Sequence, residues 1–457
     1  MRILLINPAY RTLSNKIKGS EWITPPLGLA YLASAVKEHE VKIVDMEQEK
    51  REIGEVIKEF NPDIVGLTAT TPTVNVAFSV LEKAKSINQN IVTVIGGCHV
   101  SVLPYEAIKK EGVDIVIRGE GELTIKEIVD NLSGGKSVKG IKGTVQKEGS
   151  KVVYNQDRPP VRDLDSLPFP ARELLDYETY RRPFAKGKKP VTILTSRGCP
   201  YGCIYCNKSV FGNSFRPRSA ENVLDEIEEL AKQGHDDFHI LDDTFSIAKE
   251  RAKKICQGII DRGLKINWNV SNGMRIDRLD EELANLMKRS SCYCIGFGIE
   301  SGNQGTHDYI QKNLKIEDIE RGFKIAKRTG IDTIAFVIIG LPNETKEDIE
   351  NTVKFLKRVM PAAVNFHILI PLPGTKVYNE LKSNGYLLES DWSKYSFHNP
   401  PVYRTEHLTR EDIIEEYRKA YKKYHFSARY MLSRLWRMRN LSQLKTNLRG
   451  LVTILRI

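Results

Sequence analysis

Thr195-Ser-Arg-Gly-Cys199-Pro-Tyr-Gly-Cys203-Ile-Tyr-Cys206 follows a β-branched run, Val191–Thr195, that reads as a strand. Its cysteines are spaced C-x3-C-x2-C on one loop. Three thiolates so close together, with no fourth cysteine nearby, suit a four-iron cluster in which one iron lacks a protein ligand. Arrays of four cysteines close such clusters for electron transfer; an open iron is instead a place where a chelating molecule binds. Structural zinc wants four ligands, usually as paired knuckles. Cys292 and Cys294 sit two apart in an expected strand and share one face, but no second pair completes a zinc site. With Cys98 and Cys256 the chain has seven cysteines, an odd and scattered set that argues against a disulfide scaffold.

Working outward, 457 residues predict two or three domains, each with its own core. Hydrophobic residues at 41% and charged residues at 28% fall in the globular range. No apolar run is long enough to cross a bilayer, and Met1–Pro8 reads as a buried first strand rather than a signal peptide. The expected compartment is the reducing cytoplasm.

Short apolar runs at Ile3–Ile6, Val41–Val44, Ile64–Leu67, Ile91–Ile95 and Asp114–Ile117 alternate with amphipathic stretches such as Leu27–Glu38 and Val74–Lys85. The fold class is therefore α/β, beginning with a doubly wound, Rossmann-like domain over residues 1–135. Ligands of such sheets sit beyond the carboxyl ends of the strands. Those ends carry Asn7-Pro8, Asp45, Thr68-Ala-Thr70-Thr71, Gly96-Gly97-Cys98-His99 and Arg118-Gly-Glu120-Gly-Glu122. Small residues there leave room for something large and flat. A nicotinamide site would need G-x-G-x-x-G after the first strand, which Asn7-Pro-Ala-Tyr-Arg-Thr does not offer. A response-regulator-like domain would need an acidic pocket with a partner lysine, and none is evident.

After a proline-rich linker with a hairpin (136–186), six further strands are expected at Val191–Thr195, Phe238–Leu241, Asn267–Val270, Cys294–Ile299, Thr333–Ile339 and Asn365–Ile370. Helices such as Ala220–Gln233, Asp280–Lys288 and Lys346–Val359 separate them. This predicts a partial (β/α)6 barrel over 187–390, with its chemistry at the C-terminal strand ends, followed by a helical, basic region over 391–457.

Pro25-Pro-Leu-Gly-Leu-Ala-Tyr-Leu-Ala33, Gly96-Gly-Cys-His99 and Gly119-Glu-Gly-Glu122, followed by the C-x3-C-x2-C domain, resemble the cobalamin-binding branch of the radical S-adenosylmethionine (SAM) enzymes. The resemblance covers about residues 1–390. It implies a 4Fe–4S cluster on Cys199, Cys203 and Cys206, with SAM on the open iron and cobalamin over the first sheet. Thr68, Thr70, Gly96, Gly97, Cys98 and Glu120 are the implied cobalamin contacts. The implied SAM contacts are Asp242 or Asp243 at the ammonium, Arg275 at the carboxylate or ribose, Glu300 at the ribose, and Tyr205 and Leu341 (in Gly340-Leu-Pro342) near the adenine. The D-x-H-x-x-G loop that gives cobalt a histidine in many cobalamin proteins is missing. His99 stands at a different spacing, and its blander reading is a hydrogen-bonded loop histidine.

The family's chemistry is reductive SAM cleavage to a 5′-deoxyadenosyl radical, most often followed by methylation of an unactivated carbon through methylcobalamin. A one-electron donor such as ferredoxin or flavodoxin is implied. Ring formation and other carbon-skeleton chemistry are the alternative outcome, and a non-catalytic cofactor sensor is a third reading. Methylthio transfer needs a second cysteine triplet, and the first domain has only Cys98.

Residues 426–457 carry seven Lys/Arg and no acid, most of the chain's net +11. Leu432, Leu435, Trp436, Met438 and Leu441 interleave with the arginines at helical spacing. The stretch reads as a helix lying on an anionic membrane surface, which points to a hydrophobic or lipid substrate and the inner membrane face. The alternative is a helix packed on the barrel with solvated arginines. Nucleic acid is not the expected partner, since no recognition motif accompanies the charge.

Overall fold

The computed structural model describes residues 1–9, 24–180 and 185–437. Its first sheet contains β1 (Arg2–Asn7), β2 (Glu40–Asp45), β3 (Ile64–Thr68), β4 (Val92–Gly96), β5 (Ile115–Ile117), β6 (Thr144–Glu148) and β7 (Lys151–Tyr154). The order is β2-β1-β3-β4-β5-β6-β7, parallel through β5. Ile3, Leu4, Leu5 and Ile6 of β1 are all buried because helices cover both faces of the sheet. The chain reverses direction across the sheet between β1 and β3, so a crevice opens above their carboxyl ends. The sheet runs past residue 135: β6 pairs antiparallel with β5, and β7 closes a hairpin on β6.

The second sheet contains β8 (Pro190–Ile193), β11 (Asp237–Ile240), β12 (Asn267–Met274), β13 (Cys292–Glu300), β14 (Asp332–Ile339) and β15 (Ala363–Ile368). All six are parallel and in chain order, an open barrel wall. Between β8 and β11 a two-residue pair, β9 (Ser196–Arg197) with β10 (Arg216–Pro217), forms a neck from which the cysteine loop projects. The helices between strands start where the sequence signals it. Ser219 caps Ala220–Lys232 by accepting from the Asn222 amide, and Thr345 and Asp348 form a reciprocal capping box for Lys346–Val359.

The C-terminal region folds back onto both domains. Trp392 donates its indole N–H to Glu106 at 2.9 Å and packs edge-on against His99, while Asn75 donates to Asp391 at 3.1 Å. Helix Arg410–His425 lies against β15, where Tyr424 donates to the Pro361 carbonyl. The described start of the basic tail packs on the same side, with Tyr430 buried and Arg429 and Arg434 donating to the Lys357 and Ala362 carbonyls. Residues 438–457, which carry much of the expected amphipathic pattern, lie outside the described residues. No helix among the described residues is long and apolar enough to cross a membrane.

Candidate functional site: the cysteine loop between two sheets

Cys199, Cys203 and Cys206 sit on the loop that leaves the neck at the barrel mouth, unpaired, the first two half-buried and Cys206 exposed. Backbone bonds fix the loop. The Ile204 amide donates to the Ile310 carbonyl, the Val377 amide donates to the Ile204 carbonyl, and Asn207 donates to the Pro373 carbonyl. Lys208 donates to the carbonyls of Cys199 and Tyr201. Among the described residues the only trio of His, Cys, Asp or Glu with all ligating atoms within 4.8 Å is Glu38, His39 and Asp130, which includes none of these cysteines. The cysteine sulfurs are thus too spread to cage one ion, whereas a multi-iron cluster uses a wider frame. Partial burial pushes the Cys199 thiol up; a coordinated cation reverses that and takes the thiolate. The donor set fits an iron–sulfur cluster.

The loop rests on the first sheet. The Ser209 hydroxyl donates to the Cys98 carbonyl at 3.0 Å, at the end of β4. Around it are Thr68 and Gly96, both half-buried, and Thr70, which is exposed. Gly97 has φ +106°, and a Cβ there would stand 2.7 Å from the Ala69 N and O atoms, so only glycine lets these strand ends draw together. Thr68, Thr70, Gly96, Gly97 and Cys98 therefore share one small-residue platform opposite the cysteines, a surface suited to a flat macrocycle. His99 is not part of it. Its Nδ1 lies 3.2 Å from the Thr71 hydroxyl, its ring is buried against Trp392, and burial pulls its pKa down to about 4.

Glu120 belongs to the domain interface rather than to this platform. Both of its oxygens take Arg216, at 2.7 and 3.1 Å, and one also accepts the Val161 amide. A carboxylate so occupied has no capacity left for a cofactor amide.

At the barrel mouth the expected residues separate into free and committed groups. Asp242 is fully buried and accepts from both amides and both hydroxyls of Thr195 and Ser196. It braces the strand feeding the cysteine loop and presents nothing to a ligand. Asp243 accepts the Gly198 amide at 2.9 Å on one oxygen, while its side chain stays exposed with the other oxygen open. Arg275 is buried, with four of its five N–H groups spent: two on Asp277 and one each on the Lys312 and Asn313 carbonyls. Its guanidinium also stacks 3.8 Å from the Tyr201 ring centre. It shapes the mouth without facing it. Leu341 is core; its amide and that of Gly340 point at the buried Glu344 carboxyl, and its carbonyl accepts the Glu344 amide.

Glu300 ends β13 beyond a register shift and has φ +60°, an uncommon conformation for a glutamate. It accepts from Lys312 at 2.6 Å and from the Tyr205 hydroxyl at 3.0 Å. Gly298 makes the room: a Cβ there would meet Glu300 Oε1 at 2.7 Å and Lys312 Nζ at 3.1 Å. Tyr205, flanked by Cys203 and Cys206, thereby joins the cysteine loop to this ion pair. Lys312 was not foreseen. It lies in Gln311-Lys312-Asn313, whose outer residues both have positive φ, a backbone feature that leaves no mark in composition.

Comparison with known proteins agrees with this arrangement. The B12 binding domain profile matches residues 19–129, and the Radical SAM superfamily profile matches residues 193–356. An uncharacterized methyltransferase of Pyrococcus horikoshii is 37% identical over 99% of this chain and 98% of its own. The anaerobic magnesium-protoporphyrin IX monomethyl ester cyclase of Rubrivivax gelatinosus is 31% identical over 94% of this chain and 78% of its own. Among solved structures, the cobalamin-dependent SAM radical enzyme OxsB superposes with TM-score 0.77 at 17% identity, covering 99% of this chain and 70% of its own. The methyltransferase TsrM of Kitasatospora setae gives 0.68 at 22% identity, over 84% and 78%. At such identities the two structures speak for the fold alone. The sequence relatives cover both domains at greater identity, and on that ground the chain belongs to the radical SAM enzymes that carry a cobalamin-binding domain.

Proposed function

We propose that this protein is a cobalamin-dependent radical SAM C-methyltransferase. The observation that carries the reading is the cysteine loop, with three unpaired thiols at the barrel mouth, pressed against the glycine-lined strand ends of the first sheet. When bound, the 4Fe–4S cluster with SAM supplies a carbon-centred radical, and cobalamin supplies the methyl group. Cys199, Cys203 and Cys206 hold the cluster. The open oxygen of Asp243 suits the SAM ammonium as a charge-assisted acceptor. Glu300 suits the ribose hydroxyls, with Lys312 holding its charge in place, and Tyr205 offers a ring face for the adenine. Thr68, Thr70, Gly96, Gly97 and Cys98 provide the floor for the corrin. Asp242, Arg275, Leu341 and Glu120 act as supports. Packing the two strand-end surfaces together keeps water from the space between them.

The substrate is proposed to be large and apolar. Supporting this, the relatives include a hopanoid C-3 methylase of Methylococcus capsulatus and the magnesium-protoporphyrin cyclase named above. A ferredoxin or flavodoxin would supply electrons in a reducing cytoplasm. Membrane-surface contact through the tail belongs to the same proposal; flotation with anionic liposomes should fall when residues 426–457 are removed, and equal partitioning ends that part of it.

The cyclase relative also favours a second reading, carbon-skeleton chemistry on the same cofactors. Anaerobically reconstituted protein given SAM, hydroxocobalamin and reductant distinguishes them, with extracts of a strain lacking the protein as acceptor. Methyl transfer yields both 5′-deoxyadenosine and S-adenosylhomocysteine, with the SAM methyl label in an extracted compound. 5′-Deoxyadenosine without S-adenosylhomocysteine favours the second reading.

A further inference from the structure

We infer that Glu120, Glu122, Arg197 and Arg216 form a positioning clamp that sets the cysteine loop at a fixed place over the cobalamin-binding sheet. The inference rests on the proposed function and adds the device that holds the two cofactor sites in register.

Both stems of the cysteine loop enter it. Arg197 lies in β9, two residues before Cys199, and Arg216 in β10, just after the loop returns; the two pair across the neck. Both carboxylates come from the segment after β5 in the other domain. Arg197 Nη2 donates to Glu122 at 2.6 Å, and Arg197 Nη1 lies 3.3 Å from Glu120. Arg216 grips Glu120 with two N–H groups. All four side chains are at least nine-tenths buried, at 3% exposure for Arg197, 9% for Arg216, 6% for Glu120 and 9% for Glu122. The Arg197 guanidinium is also flanked by the rings of Tyr31, from the first domain, and Phe211, from the loop itself.

Two cations and two carboxylates so thoroughly removed from water are a poor way to gain stability, since desolvation cancels most of the attraction. Their directionality is the gain: a bidentate guanidinium–carboxylate pair tolerates little sliding. An apolar contact of the same area would hold the domains together without fixing the loop's register. Transfer between two bound cofactors and a substrate is sensitive to displacements of about 1 Å. The quartet constrains that coordinate at the roots of the loop, where small rotations would carry the cysteines furthest.

The first test uses the full chain isolated without cofactors. Amide hydrogen exchange across residues 198–215 is compared in wild type, Arg197→Ala, Arg197→Lys and Glu122→Gln. The clamp predicts exchange faster by about tenfold or more in Arg197→Ala, an intermediate change in Glu122→Gln, and partial recovery in Arg197→Lys. Glu122→Gln preserves shape, so it serves if Arg197→Ala does not fold. In the second test the same proteins are loaded anaerobically with iron, sulfide and hydroxocobalamin and reduced. Electron paramagnetic resonance then reads the magnetic interaction between cob(II)alamin and the reduced cluster. The expected result is an interaction that weakens or spreads in Arg197→Ala and Glu122→Gln at equal iron and cobalt content, and is partly restored in Arg197→Lys, which keeps the charge but not the planar fork. Unchanged exchange overturns the clamp, and so does faster exchange with an unchanged spin interaction, which would leave the quartet merely structural. A wild type that takes up neither cofactor overturns the proposed function instead, and the exchange data then decide whether the quartet holds the loop.

Discussion

Replacing Asp242 separates a brace from a ligand. Its carboxylate accepts four hydrogen bonds, from the Thr195 amide (2.6 Å), the Ser196 amide (3.1 Å), the Ser196 hydroxyl (2.6 Å) and the Thr195 hydroxyl. Asp242→Ala strands two buried amides, and each donor left unmade costs about 1–3 kcal/mol. It also takes away the stronger of the two carboxylate charges acting on the half-buried Arg251, leaving only that of Asp165. The sum is about 3–5 kcal/mol, the usual penalty for breaking a buried charged cluster. For a cooperative unit the size of the barrel that is a fall in Tm of about 6–20 °C. Asp242→Asn keeps one oxygen for the two amides, and the hydroxyls can turn to accept from its NH2 group, so its cost is about 1–2 kcal/mol. Thermal melting of the cofactor-free protein is the assay, since no SAM is present to confuse support with binding. An Asp242→Ala protein that melts with the wild type and yet loses SAM binding would refute the assignment and return Asp242 to the set of ligands.

Three further outcomes are expected. Lys312→Met leaves Glu300 buried without its cation, and SAM affinity measured by equilibrium dialysis should fall by about tenfold or more; unchanged affinity would remove the pair from the nucleotide site. Gly97→Ala forces φ +106° on a residue with a side chain and drives its Cβ into Ala69, a strain of about 1–3 kcal/mol, so hydroxocobalamin should be retained less well on gel filtration while iron content holds. Burial raises the Glu344 carboxyl from 4.5 to about 8, so folding favours its protonated form. Its contribution is intact below pH 4.5 and is lost as pH rises towards 8; Glu344→Gln should therefore gain stability over wild type as pH increases through that window, and a gap that does not change with pH would contradict the assignment.

The strand pattern was legible because parallel strands buried on both faces read as continuous apolar runs. Each of the eleven parallel strands in the two main sheets overlaps a run visible in the sequence. The cysteine loop was legible for a different reason: its ligands are local, within eight residues. Partners distant in the chain were not. Glu120 looks like any strand-end acid until Arg216, which lies 96 residues away, is seen to occupy it. Asp242 and Asp243 are adjacent and chemically identical, yet in the loop after β11 one turns in to bond Thr195 and Ser196 while the other stays exposed beside Gly198, a difference with no mark in the sequence. Arg275 and Leu341 stand at the expected strand ends, but a strand end has an inner and an outer side that spacing alone does not distinguish. Lys312 owes its place to a pair of left-handed residues and to the carbonyl grip of Arg275, neither of which has a sequence signature.

The central claim is that three thiolates hold a cluster whose remaining iron is open to SAM. Anaerobically reconstituted wild-type protein, reduced and examined by electron paramagnetic resonance before and after SAM is added, tests it directly. The account predicts a cluster signal that shifts on SAM addition, and that is abolished when Cys199, Cys203 and Cys206 are all replaced by alanine. A signal indifferent to SAM, or one that survives loss of the three cysteines, would contradict it.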